Sequence, residues 1–300
     1  MIMTSAYDDY VPYVGGIKDH TYDDNAWITE VGETVATFID GTAIKKIAVI
    51  GHDKDHSSFY LNYFPQWDFI PVPSYPEHSV SIDATKIRRL MFENDIEFIK
   101  GVVPPEVFEQ FVDKNQYADP FLYSENFALL QKEWDFIKAY KDSWAGAPYE
   151  PTFVTVDGVV IQSGHILLIQ RGEFPGNGLW AMPGGFVNPK ERVRTAVTRE
   201  LREETGLKLP VKVLDRAIDA YEMFDDPGRS TRGRTITHTY RITLDPTQKL
   251  PKVKGMDDAK DAEWVPLSKI ADMENVMYED HYYIIRHMLA LPATAVRGGI

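Results

Sequence analysis

Apolar residues in this chain fall into two patterns. Some form short continuous runs, and others recur every three or four positions, so strands and helices are expected to alternate as in an α/β protein. Helical spacing predicts helices over about 27–38, 84–93, 124–144 and 279–289. Apolar and β-branched runs predict strands at 47–50 and 68–72, then at 153–156, 159–161, 165–169, 211–223, 234–244 and 262–266. In the helix at 124–144, Phe127, Leu130, Trp134 and Ile137 make a stripe expected to face a core. The run Ile47-Ala48-Val49-Ile50 reads as a buried strand that feeds a polar loop at His52 and Asp53, where open α/β sheets place ligands. Gly146, Pro148 and Pro151 then interrupt the pattern and set the expected domain boundary, 1–147 and 148–300. In the second domain, strands flank a central helix and another helix closes the chain, which predicts a mixed sheet between helices.

That central helix lies in the stretch Gly185 to Leu207. Asn188 is the expected N-cap, Pro189 suits a first turn, and Glu191 stands three residues after the cap as in a capping box. Gly206 offers a left-handed stop. Val193, Ala196 and Val197 mark the inward face, and one and two turns on the same sector holds Glu200 and Glu204. Two carboxylates on an inward sector repel each other and lose hydration, a difficulty that divalent cations would remove. Oxygen ligands point to Mg²⁺ or Mn²⁺. Glu203 lies beside the pair, four residues after Arg199, within reach of an ion pair. Most acidic runs on helices are solvated faces, but here cap, apolar sector, glycine stop and spacing agree.

Composition narrows the classes. The 300 residues with 44% apolar content allow two real cores. A formal charge of −13 argues against a nucleic-acid partner. There is no cysteine, so disulfides, thiolate metal sites and a cysteine nucleophile are excluded. No apolar run approaches membrane-spanning length and the acidic start does not resemble a signal peptide, so a cytoplasmic protein is expected.

Metal-held carboxylates suggest hydrolysis of a diphosphate. Glu200 and Glu204 are the chief candidate ligands. Glu203 is a further ligand or water-orienting group, and the Gly184 carbonyl could complete the shell because glycine permits close approach. Arg229, Arg232 and Arg234, within six positions of one loop, and Arg171 are candidate substrate contacts, since guanidinium forks match phosphates and stack on bases. Solvated loop arginines would look the same in sequence. Glu279 and Asp280, opening the last helix, are candidate general bases, although acids at a helix start are also ordinary dipole partners.

The stretch from Gly185 fills every fixed position of the Nudix box, G-x5-E-x7-R-E-U-x-E-E-x-G-U with U apolar. Further segments resemble one family, the bifunctional nicotinamide-mononucleotide adenylyltransferase/Nudix hydrolases of NAD metabolism. They are PTFVTVD at 151–157, LWAMPGGF at 179–186, PGRSTRGRTITH at 227–238, DDAKDAEW at 257–264 and YEDHYYII at 278–285. In the first half they are GHDKDHSSFY at 51–60 and FPQWDF at 64–69. The resemblance implies a Rossmann-like nucleotidyltransferase domain followed by a Nudix α/β/α sandwich. It also implies hydrolysis of ADP-ribose to AMP and ribose 5-phosphate with Mg²⁺ or Mn²⁺. Two departures stand out. The family's early motif G-x-F-x-P-x-H-x-G-H is not found, and its later motif I-S-S-T-x-I-R reads Ile82-Asp83-Ala84-Thr85-Lys86-Ile87-Arg88, which keeps Thr85 and Arg88. With His52 and Asp53, these two are the candidate nucleotide contacts of the first domain. That domain therefore reads as N-terminally incomplete, with an exposed apolar sheet edge that a homodimer could cover. ADP-ribose hydrolysis is the leading expectation. The alternatives are an enzyme that also makes NAD from NMN and ATP, and a nucleotide sensor without turnover.

Overall fold

The computed structural model describes residues 16–18, 20–44, 46–51, 56–72, 84–103, 105–112 and 120–290. The chain divides into two compact units, Met1–Gln110 and Phe111–Ile300. Among the described residues no helix is long and apolar enough to cross a membrane.

In the first unit, α1 (Asp24–Ile39) is capped by Asp23, whose carboxylate accepts the Ala26 N–H at 3.0 Å. β1 (Ala48–Gly51) pairs in parallel with β2 (Asp68–Pro71). Helices α2 (Ala84–Phe92), α3 (Ile96–Val102) and α4 (Pro105–Val112) follow. Both expected strands are present, but the strand at 48–51 is not buried. Ile50 is 55% exposed, and Phe69 and Ile70 of its partner are exposed too. A parallel strand reads as a continuous apolar run because helices cover both its faces. Here the run occurs without that cover among the described residues.

The second unit opens with α5 (Glu125–Asp142), N-capped by the Ser124 hydroxyl. No residue of α5 is buried and Leu130 is exposed, so its apolar stripe lies on a surface helix rather than in a core. Rings at and just past its end meet later segments: Phe136 meets Phe174, and Tyr140 and Trp144 meet Phe153. Contacts thus group α5 with the second unit, although Gly146, Pro148 and Pro151 come after it.

A seven-stranded mixed sheet forms the centre of this unit. β3 (Phe153–Gln162) runs parallel to β8 (Thr235–Thr243) and antiparallel to β6 (Gly184–Phe186) and, at its end, to β4 (His165–Arg171). β4 also pairs with β5 (Trp180–Ala181) and β9 (Ala259–Pro266), while β7 (Ile218–Phe224) lies beside β8. The sequence reading split β3 at Asp157-Gly158, a dipeptide that usually signals a turn. The strand is continuous instead, because its register with β8 is unbroken from Phe153 to Ile161.

Side-chain alternation sorts the two faces. Val156, Val160, Tyr240 and Ile242 point to one side and pack on Ala196, Val197 and Leu201 of α6 (Val193–Thr205). Thr237 and Arg241 point to the other side, toward α8 (His281–Ala290), where Arg241 donates to the Met288 carbonyl at 2.7 Å.

Two local expectations fail for clear reasons. Residues 211–216 are helix α7 (Val211–Arg216) and not strand. Pro210 starts it, and Leu214 enters the core while Val211 and Val213 face solvent. Asn188 does not cap α6. Its N–H donates to Glu191 Oε2 at 3.2 Å within a separate turn, and the helix begins at Val193 after Arg192. The far end is as expected: Gly206 has φ +61° and donates to the Arg202 carbonyl.

Candidate active site

The site is built on the pairing of β6 with β3, which sets Gly184 opposite Asp157 and Gly185 opposite Val156. Successive residues of β6 therefore face opposite sides of the sheet. A side chain at Gly184 would strike the Val156 carbonyl and come within 2.5 Å of Asp157 Oδ1. One at Gly185 would lie 2.6 Å from Glu200 Oε1. Both positions need glycine for close approach. Through that gap the Gly184 N–H donates to Glu204 Oε2 at 2.8 Å. Glu200 and Glu204 are both buried, as the helical sector predicts.

Arg199 ties the acids together. Its guanidinium forks Glu191 with two contacts of 2.8 Å, meets Glu200 at 2.8 Å and Glu203 at 2.9 Å, and donates to the Phe186 carbonyl at 3.1 Å. The Arg199 fork holds Glu191 below the usual carboxylate range. Burial pushes Glu200 up, against the pull of Arg199. Burial pushes Glu204 up to about 8, opposed by the Gly184 N–H and reinforced by the Glu200 charge.

The Glu204 shift gives a stability test. Its folded-state value lies above the unfolded 4.5, so its contribution is complete below that pH and is lost as pH rises through about 8. Buried His281 is pushed down to about 3 and acts in the opposite sense, but only below its unfolded 6.5. In EDTA, melting temperature is therefore expected to fall from about pH 6.5 to 8, by the equivalent of at most ~2 kcal/mol. Glu204→Gln should flatten that slope. Thermal melts of both proteins across this window check it, and identical slopes would refute it.

The arginine loop sorts into three roles. Arg229 is buried and its fork is taken up by Asp280, at 2.9 and 3.0 Å. The sequence reading offered it as a substrate contact alongside the other loop arginines, and its ion pair with a residue 51 positions later could not be read from the loop. Arg234 is directed to the Asp225 carbonyl. Arg232 lies over the Phe186 ring at 4.9 Å, and its buried Nε has no acceptor among the described residues. Arg171 donates to the Pro175 carbonyl at 2.8 Å and stacks 4.1 Å over Tyr278.

Glu279 precedes α8 with φ +44°. Its Oε1 accepts from the Ser230 hydroxyl at 2.9 Å and the Thr231 N–H at 3.2 Å, and burial raises its carboxyl. His281 was missed by the sequence reading. Its Nδ1 accepts the Met182 N–H at 3.0 Å, and its Nε2 lies 4.0 Å from Asp157 Oδ1. Asp157, also missed, accepts from the Thr237 hydroxyl at 2.5 Å. A carboxylate within an apolar strand was the available signal for Asp157. In the first unit Thr85 and Arg88 are exposed at the start of α2, with Arg88 donating to its own helix at Ala84. His52 and Asp53 lie outside the described residues.

Among the described residues no three His, Asp or Glu side chains form an ion-holding group by themselves. A cation here would need main-chain, water or substrate oxygens besides Glu200 and Glu204. The all-oxygen donor set, the desolvation of both acids and the glycine gap fit a hard divalent ion.

The NUDIX domain family model matches residues 151–288. The chain is 36% identical over 133 residues to an ADP-ribose pyrophosphatase of Methanocaldococcus jannaschii, covering 44% of this chain and 70% of that protein. A nicotinamide/nicotinic acid mononucleotide adenylyltransferase of Acinetobacter baylyi is 30% identical over 108 residues, covering 33% of this chain and 55% of that protein. The solved structure of a bifunctional NMN adenylyltransferase/ADP ribose pyrophosphatase of Francisella tularensis, complexed with AMP and a Mn ion, is 34% identical. It superposes with a TM-score of 0.77 over 91% of this chain and 76% of that one.

Proposed function

We propose that this chain, which belongs to the family of bifunctional NMN adenylyltransferase/Nudix ADP-ribose pyrophosphatases, hydrolyses the diphosphate of ADP-ribose to AMP and ribose 5-phosphate. The observation that carries this reading is the buried Glu200–Glu204 pair against Gly184 and Gly185. Glu200, Glu204 and the Gly184 main chain would hold Mg²⁺ or Mn²⁺, with Glu203 beside them. Bound there, the ion would offset phosphate charge and make a water more acidic. Arg199 orients the acids, and its Glu191 fork keeps it in place. Arg232 supports the choice of an anionic substrate, since it offers a buried N–H without an acceptor among the described residues. Arg171 and Arg234 are the further substrate contacts in this reading, while Arg229 supports the loop from behind. Glu279 is the group assigned to take up the proton of the attacking water, because burial raises the proton affinity of its carboxylate.

A turnover screen of ADP-ribose, NADH, diadenosine polyphosphates and nucleoside triphosphates with Mg²⁺ or Mn²⁺ tests the substrate. AMP release fastest from ADP-ribose is the expected result. Lack of AMP under both metals would overturn the reading, and tight ADP-ribose binding without turnover would favour a sensor.

The two-activity reading gains more from the comparisons than the sequence reading gave it. The likeness to the Francisella structure extends over 91% of this chain and so into the first unit. NAD formation from NMN and ATP, retained in Glu204→Gln, is the outcome this second activity predicts. No NAD from the wild-type protein would confine it to hydrolysis.

A further inference from the structure

Five consecutive residues, Met277 to His281, touch the segment before β6, Arg171 and the arginine loop. Met277 bridges to Trp180, and the Tyr278 N–H donates to the Trp180 carbonyl at 2.8 Å. The Tyr278 ring carries Arg171, and Glu279 receives Ser230 and Thr231. The last two contacts diverge. Asp280 holds Arg229 of the arginine loop, whereas His281 holds Met182, two residues before Gly184. Both side chains are buried, so neither contact can be replaced by water without rearrangement.

The Met182 contact has a defined polarity. A main-chain N–H donates to His281 Nδ1, so the ring is the Nε2–H tautomer, and Nε2 faces Asp157. Asp157 in turn lies against Gly184, near enough that no side chain fits between them. The histidine thus fixes the chain direction just before β6 from behind, on the face opposite Glu200.

We propose that His281 and Asp280 are positioning residues that act on separate halves of the site. His281 aims the Met182–Gly184 segment at the metal-binding acids, and Asp280 aims the arginine loop at the substrate through Arg229. This rests on the hydrolase reading above, but its two halves are read by binding and not by turnover.

The test measures Mn²⁺ affinity by electron paramagnetic resonance and ADP-ribose affinity by calorimetry in the full chain. His281→Leu is expected to weaken Mn²⁺ binding about 10- to 100-fold, the usual effect of losing a residue that orients a metal shell. His281→Asn, which keeps an acceptor near the Nδ1 position, is expected to recover most of it. Arg229→Lys keeps a charge against Asp280, so the fold should survive, but it loses the two-pronged fork. It is expected to weaken ADP-ribose about tenfold with Mn²⁺ affinity changed less than twofold. The proposal is overturned if each variant shifts both affinities together, if His281→Leu leaves Mn²⁺ binding unmoved, or if His281→Asn is no better than His281→Leu. A wild-type protein that binds Mn²⁺ and ADP-ribose without cleaving it would remove the hydrolase reading and leave this split still measurable.

Discussion

Glu204→Gln is expected to lower the rate of AMP release from ADP-ribose about a thousandfold or more, with the fold intact. The amide is close in shape to the carboxyl and can still accept the Gly184 N–H. It cannot supply the negative charge that a divalent ion requires. The same substitution removes a buried acid that is costly in the metal-free protein, since Glu204 is pushed up to about 8. Loss of activity should therefore accompany equal or higher metal-free stability at alkaline pH. Kinetics and melts on one preparation separate this from misfolding. Activity within tenfold of wild type would show that Glu204 is not a metal ligand.

The largest stability effect is expected at the pair Arg229–Asp280. Their side chains are 3% and 6% exposed, so Asp280→Ala leaves a guanidinium charge facing the protein interior. Breaking such a pair costs about 3–5 kcal/mol, much of the margin of a typical domain. The pair itself contributes far less than that, because each charge gave up its hydration to be there. Replacing both with apolar residues, Arg229→Met with Asp280→Leu, should recover most of the loss. Urea denaturation of the two single variants and the double variant measures the coupling. A single substitution costing less than about 1 kcal/mol would mean that water reaches the pair.

Much of this site could be read from the sequence because it sits on one helix. Glu200 and Glu204 follow Ala196 and Val197 in the same sector, so their burial follows from periodicity alone. Arg199 and Glu203 are one turn apart, and their contact is local. The parts that escaped depend on pairing between distant segments. The three loop arginines look alike in sequence, and only the fold gives Asp280 to Arg229 and the Phe186 ring to Arg232. His281 is an ordinary helix residue until β6 brings Met182 over it.

The misread elements have the same origin. Asn188 has the composition of a cap and its N–H does reach Glu191, but that contact closes a turn before the helix, and the same carboxylate is also forked by Arg199 eight residues on. The apolar stripe of α5 has the right period for burial, but period alone cannot say whether a partner surface exists. In the first unit strands at 48–51 and 68–71 were expected, whereas the exposure of Ile50, Phe69 and Ile70 was not readable from apolar runs.

The two glycines of β6 also bear on the order in which this unit assembles. The gap they leave exists only once β6 has found its register on β3, a pairing of segments some thirty residues apart, and once α6 has docked on the opposite face. Earlier in folding, Glu200 and Glu204 are merely acids on a nascent helix with nothing opposite them. An ion that prefers the finished gap has little to grip in the transition state. It should act chiefly as a brake on unfolding and leave the folding rate nearly unchanged.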